Sequence, residues 1–356
     1  MERALRAAGV DVTTATTYSQ RCTAALTGGA GRVYARRLGS FYKFAPGLIP
    51  WLWRNVPRFD AVHIHALFSF ASVAAAYVAS LRGTPYVLQP LGSLSPFGLG
   101  QRRPRLKRLS LTFVEGPILR AAAAVHFASA AEKEEAGRLN IPVRGVVIPL
   151  GVELVSDGAP AFDDPSARGR RRVLFLSRLD PVKNLEALID AFASSLDLRE
   201  TATLIVAGRG DEEYVAALKA RARDAGIADR VLWLGHVEGP QKAALLQAAD
   251  LFILPSFSES FGVAAVEAML AGLPCVLSRS VAIASAAAAA GACAIVEPQA
   301  GAIRHAIEAL LSEPDKLTSM GAAARAFAVR EYSPQTMAKR LIDLYRSVSK
   351  GRQSLR

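Results

Sequence analysis

Residues 251–270 read LFILPSFSESFGVAAVEAML, and this stretch decides the fold class. Leu251 to Leu254 form a short apolar run, and a turn that contains Gly262 leads into an apolar helical pattern. A buried strand, a turn and a helix in that order are the repeating unit of a parallel sheet covered by helices. The stretch therefore predicts an α/β domain.

The same alternation of short strands and helices runs through the whole chain. Residues 156–172 are rich in Asp, Pro, Gly and Arg without periodicity, which indicates a linker. We predict a first domain at 1–155, a second at 173–330, and a helix at 331–356 that closes the second domain or crosses back onto the first. The predicted strands are 12–17, 61–66, 86–90, 124–129 and 145–149, then 173–177, 203–207, 231–234, 251–254 and 274–277.

The start of the chain lacks the element that opens a doubly wound domain. Residues 2–9 (ERALRAAG) have the pattern of the end of a helix, and they run directly into the predicted strand DVTTATT. A central strand and a turn normally precede that first helix. We expect the natural reading frame to begin upstream, or the first domain of this chain to be impaired.

Composition narrows the class of protein. With 51% hydrophobic residues the chain can bury substantial cores, and its three scattered cysteines indicate a reducing, cytosolic compartment rather than a disulfide framework. Residues 1–155 hold 19 Lys/Arg and 8 Asp/Glu, a net charge of +11, whereas residues 156–356 hold 24 and 23. No zinc-finger, helix-turn-helix or RNA-recognition signature accompanies this charge, so nucleic acid is not expected as a partner.

One basic cluster in the first half has two interpretations. Mixed cations and apolar residues suit anionic lipid headgroups at a membrane surface. The alternative is a solvated helix face whose leucines enter the core. The cluster comprises Arg102, Arg103, Arg105, Lys107 and Arg108 beside Leu106, Leu109, Leu111 and Phe113.

Candidate ligand-binding side chains follow predicted strands of the second half. Arg178 comes directly after the run VLFLS, and Lys183 precedes Asn184, the predicted N-cap of a helix with an apolar face. Two cations at a strand end beside a helix N-terminus suit a diphosphate, with a solvated turn as the alternative.

Two carboxylates eight residues apart, Glu259 and Glu267, give the stronger signal. The backbone N–H groups of Phe261, Gly262 and Val263 can meet a phosphate or a sugar hydroxyl, while Glu267 can accept both hydroxyls of a ribose and Glu259 one hydroxyl of a sugar. The alternative is a capping Glu259 and a Glu267 paired with a neighbouring arginine.

Together these residues resemble glycosyltransferase family four, the retaining enzymes of the GT-B fold, and especially bacterial members that extend exopolysaccharide or lipopolysaccharide chains. The resemblance implies two Rossmann-like doubly wound domains that face each other across a cleft. It implies a nucleotide-diphosphate sugar as donor substrate, no bound metal and no cofactor. The matching blocks are Arg178-Leu179 with Lys183-Asn184, Ala207-Gly208-Arg209-Gly210, Leu234-Gly235, Ala249-Asp250 with Leu254-Pro255-Ser256, and the paired glutamates.

The resemblance also assigns roles to residues. Arg178 and Lys183 would bind the phosphates, Glu259 the transferred sugar and Glu267 the ribose, and Gly208 would belong to the donor site. The implied reaction moves a hexose-type sugar to a glycan or lipid-linked acceptor in cell-surface polysaccharide synthesis, in the cytoplasm and on the inner face of the membrane.

The first half departs from the family pattern. The family often carries His-Gly after its third predicted strand, where this chain has Leu91-Gly92, so a polar contact to the donor is lost. His65 and Gly92 are the candidate acceptor contacts, and we expect His63 to satisfy a local hydrogen bond.

Three other functions are alternatives to this interpretation. A nicotinamide-dependent oxidoreductase is disfavoured because position 213 is Glu, so the third glycine of the dinucleotide fingerprint is missing. A nucleotide-sugar epimerase matches the cationic and paired-glutamate blocks less well. A catalytically impaired nucleotide-binding or scaffold protein of the same fold stays open, favoured by Leu91 and the missing strand.

Overall fold

The computed structural model describes residues 1–18, 31–38, 41–100, 103–153, 161–164 and 167–353. They divide into two compact units, one formed by Met1–Gly151 with Pro334–Arg356 and the other by Val152–Ser333. Cys22 and Arg102 lie outside the described residues.

Twelve strands are present in the described part of the chain. They are β1 Thr14–Tyr18, β2 Arg32–Arg36, β3 Val62–His65, β4 Tyr86–Gln89, β5 Ala124–Phe127, β6 Gly145–Val147, β7 Arg171–Leu176, β8 Ala202–Ala207, β9 Val231–Gly235, β10 Leu251–Leu254, β11 Cys275–Ser278 and β12 Cys293–Val296.

The α-helices alternate with these strands along most of the chain. They are α1 Glu2–Ala7, α2 Leu48–Asn55, α3 Phe70–Leu81, α4 Pro96–Gly100, α5 Pro104–Ser110, α6 Gly116–Ala121, α7 Ala130–Gly137, α8 Leu185–Ala193, α9 Leu196–Thr201, α10 Glu212–Asp224, α11 Gly239–Ala248, α12 Val263–Leu270, α13 Ala284–Ala289, α14 Ala300–Leu311, α15 Pro314–Tyr332 and α16 Pro334–Gln353.

The second unit is built on a six-stranded parallel sheet with the order β12-β11-β10-β7-β8-β9. All residues of β8, β10 and β11 are buried, as expected for strands covered by helices on both faces. From β7 the chain proceeds to β8 on one side, and β10 lies on the other side. This is the point at which the strand order reverses, and ligands of open α/β sheets bind at the carboxyl ends of the strands there.

The first unit contains a four-stranded parallel sheet, β3-β4-β5-β6, and a separate parallel pair, β1-β2. Its core holds Tyr86 and Leu88 of β4 with Val125 and Phe127 of β5. In the described residues, neither strand of the β1-β2 pair is hydrogen-bonded to the four-stranded sheet.

The C-terminal helix belongs to the first unit. Met337 and Leu341 of α16 pack with Val87, Ala124 and Ile148 in one buried cluster. Of the two courses left open for the final helix, the structure takes the one that crosses back. The second unit also begins earlier than the predicted boundary, at Val152, and β7 starts inside the segment predicted as a linker.

The sequence missed two strands, β2 and β12. The short apolar centre of β2 is flanked by Arg32 and Arg36, and β12 directly follows a run of alanines that has the composition of a helix. Within the described ranges, no helix is both long enough and apolar enough to cross a membrane.

Candidate functional site

Loops that follow β7 and β10 are bonded together at the point where the strand order reverses. Asn184 donates through Nδ2 to the carbonyls of Pro255 and Pro298, at 3.1 and 2.7 Å, and Phe257 N–H donates to Val182 at 2.8 Å. These hydrogen bonds hold the two loops together, and with them Lys183 and Glu259. The sequence placed Asn184 at the N-cap of α8, which is its position, but the cap itself was wrong: Asn184 is left-handed (φ 58°) and its side chain makes no capping bond.

Lys183 and Glu259, predicted as separate contacts to phosphate and sugar, are hydrogen-bonded to each other. Their side chains retain 8% and 19% of their exposure, so the pair lies largely out of water. A buried charge without a partner costs several kcal/mol. The pair therefore allows a cation and a carboxylate to sit at one edge of the sheet before any ligand arrives.

The turn between Glu259 and α12 requires glycine. Gly262 has φ +94°, and a Cβ at this position would lie 3.1 Å from Cγ1 of Val281 and 3.5 Å from Cγ of Glu259. It is the N-cap residue of α12 and has no side chain to cap the first turn. Phe261 is buried and Val263 is 45% exposed, so the helix starts at the protein surface. The first N–H groups of α12 are consequently in a position to bind an anion.

Glu267 is paired with Lys242. The Lys242 ammonium on α11 lies 2.6 Å from Oε1 of Glu267 on α12, and the two side chains are 26% and 16% exposed. The alternative for Glu267 named an arginine as its partner, and the cation observed is a lysine from a different helix. Both glutamates of the motif thus carry their own counterion.

Arg178 is exposed and has no ionic or hydrogen-bonding partner in the described part of the chain. Gly208 lies beside it, because a Cβ on Gly208 would stand 1.8 Å from the carbonyl oxygen of Ser177. Leu179 N–H bonds Arg209 O at 2.8 Å, which joins the ends of β7 and β8. The glycine is therefore required for backbone packing that holds Arg178 at the sheet edge. Arg209 is exposed there as a second cation.

The candidate acceptor residues lie at the carboxyl edge of the first unit's sheet. His65 is exposed, and its Nδ1 lies 2.8 Å from Oε1 of Gln89, the last residue of the neighbouring strand. Leu91 has φ 55° and is 47% exposed, and Gly92 N–H donates to Glu132 Oε1 at 2.6 Å. Burial raises the pKa of Glu132, although the bonds from Gly92 and Ala128 oppose that shift. Glu132 thus ties the Leu91-Gly92 turn to the end of β5.

His63 has a structural role, as expected from the sequence, but its hydrogen-bond partners are distant in the sequence rather than local. Its Nδ1 lies 2.7 Å from the Tyr345 hydroxyl, and its Nε2 lies 3.3 Å from Nδ1 of His126. Desolvation lowers its pKa well below the ordinary value of 6.5, so the ring is neutral near pH 7. His63 accordingly links strands β3 and β5 to α16.

The basic cluster around α5 leaves two of its three leucines exposed. Leu106, Leu109 and Phe113 are 53%, 57% and 68% exposed, and α5 buries none of its residues. Of the apolar residues named for this cluster, Leu111 packs against the core. For Leu106 and Leu109 the interpretation that places leucines in the core is therefore wrong. We call Arg103, Arg105, Leu106, Arg108, Leu109 and Phe113 the α5 surface.

Sequence reasoning missed Lys242 and Glu132. A signal existed for each: Lys242 is the sole charged residue of α11, and Glu132 stands three residues after Ser129, in the spacing of a capping box. Ser129 does cap α7, but the Glu132 carboxylate reaches the neighbouring turn. Neither spacing by itself identifies the long-range partner.

The second unit thus has cations, carboxylates and a helix N-terminus at the point where the strand order of its parallel sheet reverses, where open α/β sheets bind their ligands. Family models match both halves of the chain: "Glycosyl transferase 4-like domain" over residues 1–151 and "Glycosyl transferases group 1" over residues 161–327. The chain belongs to this family of glycosyltransferases.

Individual relatives agree with this assignment. Phosphatidyl-myo-inositol mannosyltransferase of Mycobacterium leprae is 34% identical over 208 residues, which are 57% of this chain and 54% of that protein. The chain thus matches about half the length of this relative.

Solved structures show the same fold at low identity. Sucrose-phosphate synthase from Thermosynechococcus elongatus has a TM-score of 0.79 at 20% identity, with 98% of this chain and 91% of that chain covered. Anabaena HepE in complex with UDP-glucose has a TM-score of 0.70 at 21% identity, with 89% and 86% covered. The fold is GT-B, as the sequence predicted.

Proposed function

We propose that the chain is a retaining glycosyltransferase that moves a hexose-type sugar from a nucleotide-diphosphate sugar to a glycan or lipid-linked acceptor in cell-surface polysaccharide synthesis. The observation that carries the proposal is the charge arrangement at the switch point of the second unit. Two carboxylates there are each neutralised by a lysine, and the exposed Arg178 has no partner among the residues that the structure describes. A site of this kind attracts a diphosphate while keeping acceptors for sugar hydroxyls.

Each group of the site has a role in this proposal. Arg178 and the N-terminus of α12 bind the diphosphate. Lys183, which its bond to Glu259 holds at the same edge of the sheet, binds it as well. Glu259 accepts a hydroxyl of the transferred sugar, and Glu267 accepts the ribose hydroxyls. The site places positive charge where negative charge develops on the leaving diphosphate.

The reaction that fits these groups proceeds on one face of the sugar. The bond between the anomeric carbon and the phosphate oxygen breaks, and the acceptor hydroxyl forms its bond to that carbon from the same side. The departing phosphate oxygen takes the acceptor proton, so no protein base is required. The configuration at the anomeric carbon is retained.

Relatives support the choice of a hexose donor. The mycobacterial protein is named a mannosyltransferase of phosphatidyl-myo-inositol, and HepE was solved with UDP-glucose. Hexoses activated as nucleoside diphosphates are accordingly the first donors to assay with this chain.

A donor screen tests the proposal. Binding of UDP, GDP, ADP and CDP is measured by calorimetry, and turnover of the corresponding hexose donors is followed by nucleotide release, with Glu267→Ala as the control. We expect one nucleotide to bind and the control to lose that binding. Absence of binding to all four would contradict the proposal, and an acceptor product of inverted anomeric configuration by NMR would contradict retention.

The α5 surface supports a membrane partner for this enzyme. Exposed leucine and phenylalanine side chains between arginines match an anionic lipid surface, into which the apolar groups insert while the cations meet headgroups. We propose that the protein binds the inner face of the cytoplasmic membrane, next to a lipid-linked acceptor.

Vesicle binding tests this location. Neutralising Arg103, Arg105 and Arg108 should abolish sedimentation with phosphatidylglycerol vesicles, and the protein should not bind phosphatidylcholine vesicles. A matched control neutralises three exposed cations elsewhere, Arg138, Lys316 and Arg330, whose side chains are 67%, 50% and 64% exposed. Equal loss of vesicle binding in both variants would mean that binding depends on the net charge of the protein and not on the α5 surface.

One observation favours a second candidate, a nucleotide-binding protein of the same fold without turnover. Leu91 presents an apolar side chain, 47% exposed, at the position where the family often has histidine. One cause of nucleotide binding without turnover of any donor would be the lack of an imidazole at position 91. In that case Leu91→His should restore turnover. Failure of this substitution to restore turnover would favour the binding protein.

A further inference from the structure

The side chain of Lys242 ends at the carboxylate that the proposed function assigns to the ribose. Its ammonium lies 2.6 Å from Oε1 of Glu267, and both side chains are more than 70% buried. Lys242 comes from α11, which begins at Gly239 and is separated by three residues from the end of β9 at the carboxyl edge of the sheet. Two successive helices, α11 and α12, thus meet at the carboxylate of Glu267.

Without a partner, the Glu267 carboxylate on α12 would have no fixed orientation, and its charge would be unfavourable at this edge of the sheet. The other residues of this helix are apolar, Val263, Ala264, Ala265, Val266, Ala268, Met269 and Leu270, so none of them can hold the Glu267 carboxylate by a hydrogen bond from its side chain. Its negative charge would also repel the diphosphate of a donor bound at the same edge. Lys242 supplies both the missing bond and the missing charge.

We propose that Lys242 is a positioning residue for ribose recognition: it holds Oε1 of Glu267 and offsets its charge, so that the carboxylate accepts the 2′- and 3′-hydroxyls. This inference rests on the proposed function, which puts a nucleotide in the site. A carboxylate has about four lone-pair positions, so one ammonium and two hydroxyls stay within its capacity. Lys242 acts through Glu267 and need not contact the nucleotide.

A purely structural pair would tie α11 to α12 and affect all nucleotides alike. The two roles separate when ribose hydroxyls are removed from the ligand, because a misplaced carboxylate costs affinity only where a hydroxyl is present to bind it. The ratio of affinities for a ribonucleotide and its 2′-deoxy analogue is therefore the informative quantity.

The experiment uses the whole chain and the nucleoside diphosphate that it binds most tightly among UDP, GDP, ADP and CDP, each paired with its 2′-deoxy form. We expect wild type to prefer the ribonucleotide by about tenfold, the size of one lost hydrogen bond to a charged group. Lys242→Met should reduce the preference to about twofold or less, because the ribonucleotide loses more affinity than the deoxy form, which has one hydroxyl fewer for Glu267 to bind. Lys242→Arg, which keeps the charge, should retain most of the preference.

Lys316→Met is the matched control, because Lys316 pairs with Glu313 in the same unit at 3.1 Å with both side chains about half exposed. A Lys242→Met variant that weakens both nucleotides equally, or keeps the wild-type ratio, overturns the inference while the proposed function stands. Absence of nucleotide binding to wild type overturns both. If Lys242→Met does not fold, Lys242→Gln is measured in its place, with the same expected ratio. The double variant that combines Lys242→Gln with Glu267→Gln completes a double-mutant cycle. This double variant should lose no more of the preference for the ribonucleotide than either single variant does.

Discussion

Tyr345 donates its hydroxyl to Nδ1 of His63 across 2.7 Å, which joins the C-terminal helix to strand β3. The direction follows from the neighbouring bond. His126 Nε2 lies 2.6 Å from the carbonyl of Ile148, which can only accept, so the neutral His126 ring carries its proton on Nε2. Its Nδ1 must then accept from His63 Nε2–H, and His63 Nδ1 is left to accept from Tyr345.

Acid should destabilise the first unit because this chain of bonds requires neutral rings. Desolvation lowers the pKa of His126 to about 4 and that of His63 well below 6.5. Between about pH 6.5 and 4 the unfolded chain binds more protons at these rings than the folded chain, so the free energy of unfolding falls as pH falls. Thermal unfolding measured from pH 7.5 to 4.5 checks this. His126→Gln should flatten the dependence, and an unchanged slope in that variant would contradict the assignment.

Replacing Tyr345 by Phe should separate the bond from the titration. The variant leaves His63 Nδ1 without its donor, which costs about 1 kcal/mol of unfolding free energy. Since both rings remain, the pH dependence should stay. Hydrogen exchange should quicken in α16 and not in α8 of the second unit.

The Lys183–Glu259 pair should show strong coupling in a double-mutant cycle. Removing either partner alone leaves a largely buried charge uncompensated, so Lys183→Met and Glu259→Gln should each destabilise by about 2 kcal/mol or more. The double variant should cost less than the two single costs added together. Urea unfolding of all four proteins gives the coupling energy, and additive costs would mean that the two side chains do not depend on each other.

Gly208→Ala should be one of the most damaging single-methyl additions in the second unit. The added Cβ would stand 1.8 Å from the Ser177 carbonyl oxygen, which is backbone and cannot move aside, so we expect a cost of about 3 kcal/mol or more. Gly272→Ala is the control: its φ is +84° but no atom lies within 4 Å of the new Cβ, so about 1 kcal/mol is expected. Equal unfolding midpoints for the two variants would refute the close approach.

Cys275 and Cys293 should report unfolding of the second unit. They are directly paired residues on β11 and β12, both are buried, and desolvation raises the pKa of Cys293 to about 12 and that of Cys275 well above its ordinary value. Thiolate, the reactive form, is therefore scarce in the folded chain. Alkylation at these two positions, followed by mass spectrometry, should wait for unfolding. Rapid modification of either in native buffer would contradict their burial.

The sequence predicted the sheet of the second unit well because its strands are continuous apolar runs between turn residues. Leu251–Leu254 was placed without error, and four further strands were placed to within two residues at either end. The strands β2 and β12 escaped because their local composition does not distinguish them: one is flanked by arginines, and the other follows alanines. Long-range pairing with a neighbouring strand decides such segments.

The site shows the same division between local and distant information. Local patterns at strand ends and helix starts were enough to predict Arg178, Lys183, Glu259 and Glu267 as candidates. They could not show that Lys183 bonds Glu259, 76 positions away, or that Lys242 bonds Glu267. Such contacts depend on strand order, which brings β7 beside β10.

The return of α16 to the first unit has a consequence for the order of events during protein synthesis. The second unit is one uninterrupted segment and can fold as soon as it leaves the ribosome, whereas the first unit must wait, with Val87 and Ala124 uncovered, until Met337 and Leu341 have been translated. Nascent chains therefore carry an unfinished apolar surface for as long as the second unit is being made. A premature stop codon or proteolytic cut directly before Pro334 would leave a complete second unit attached to a first unit that cannot close its core.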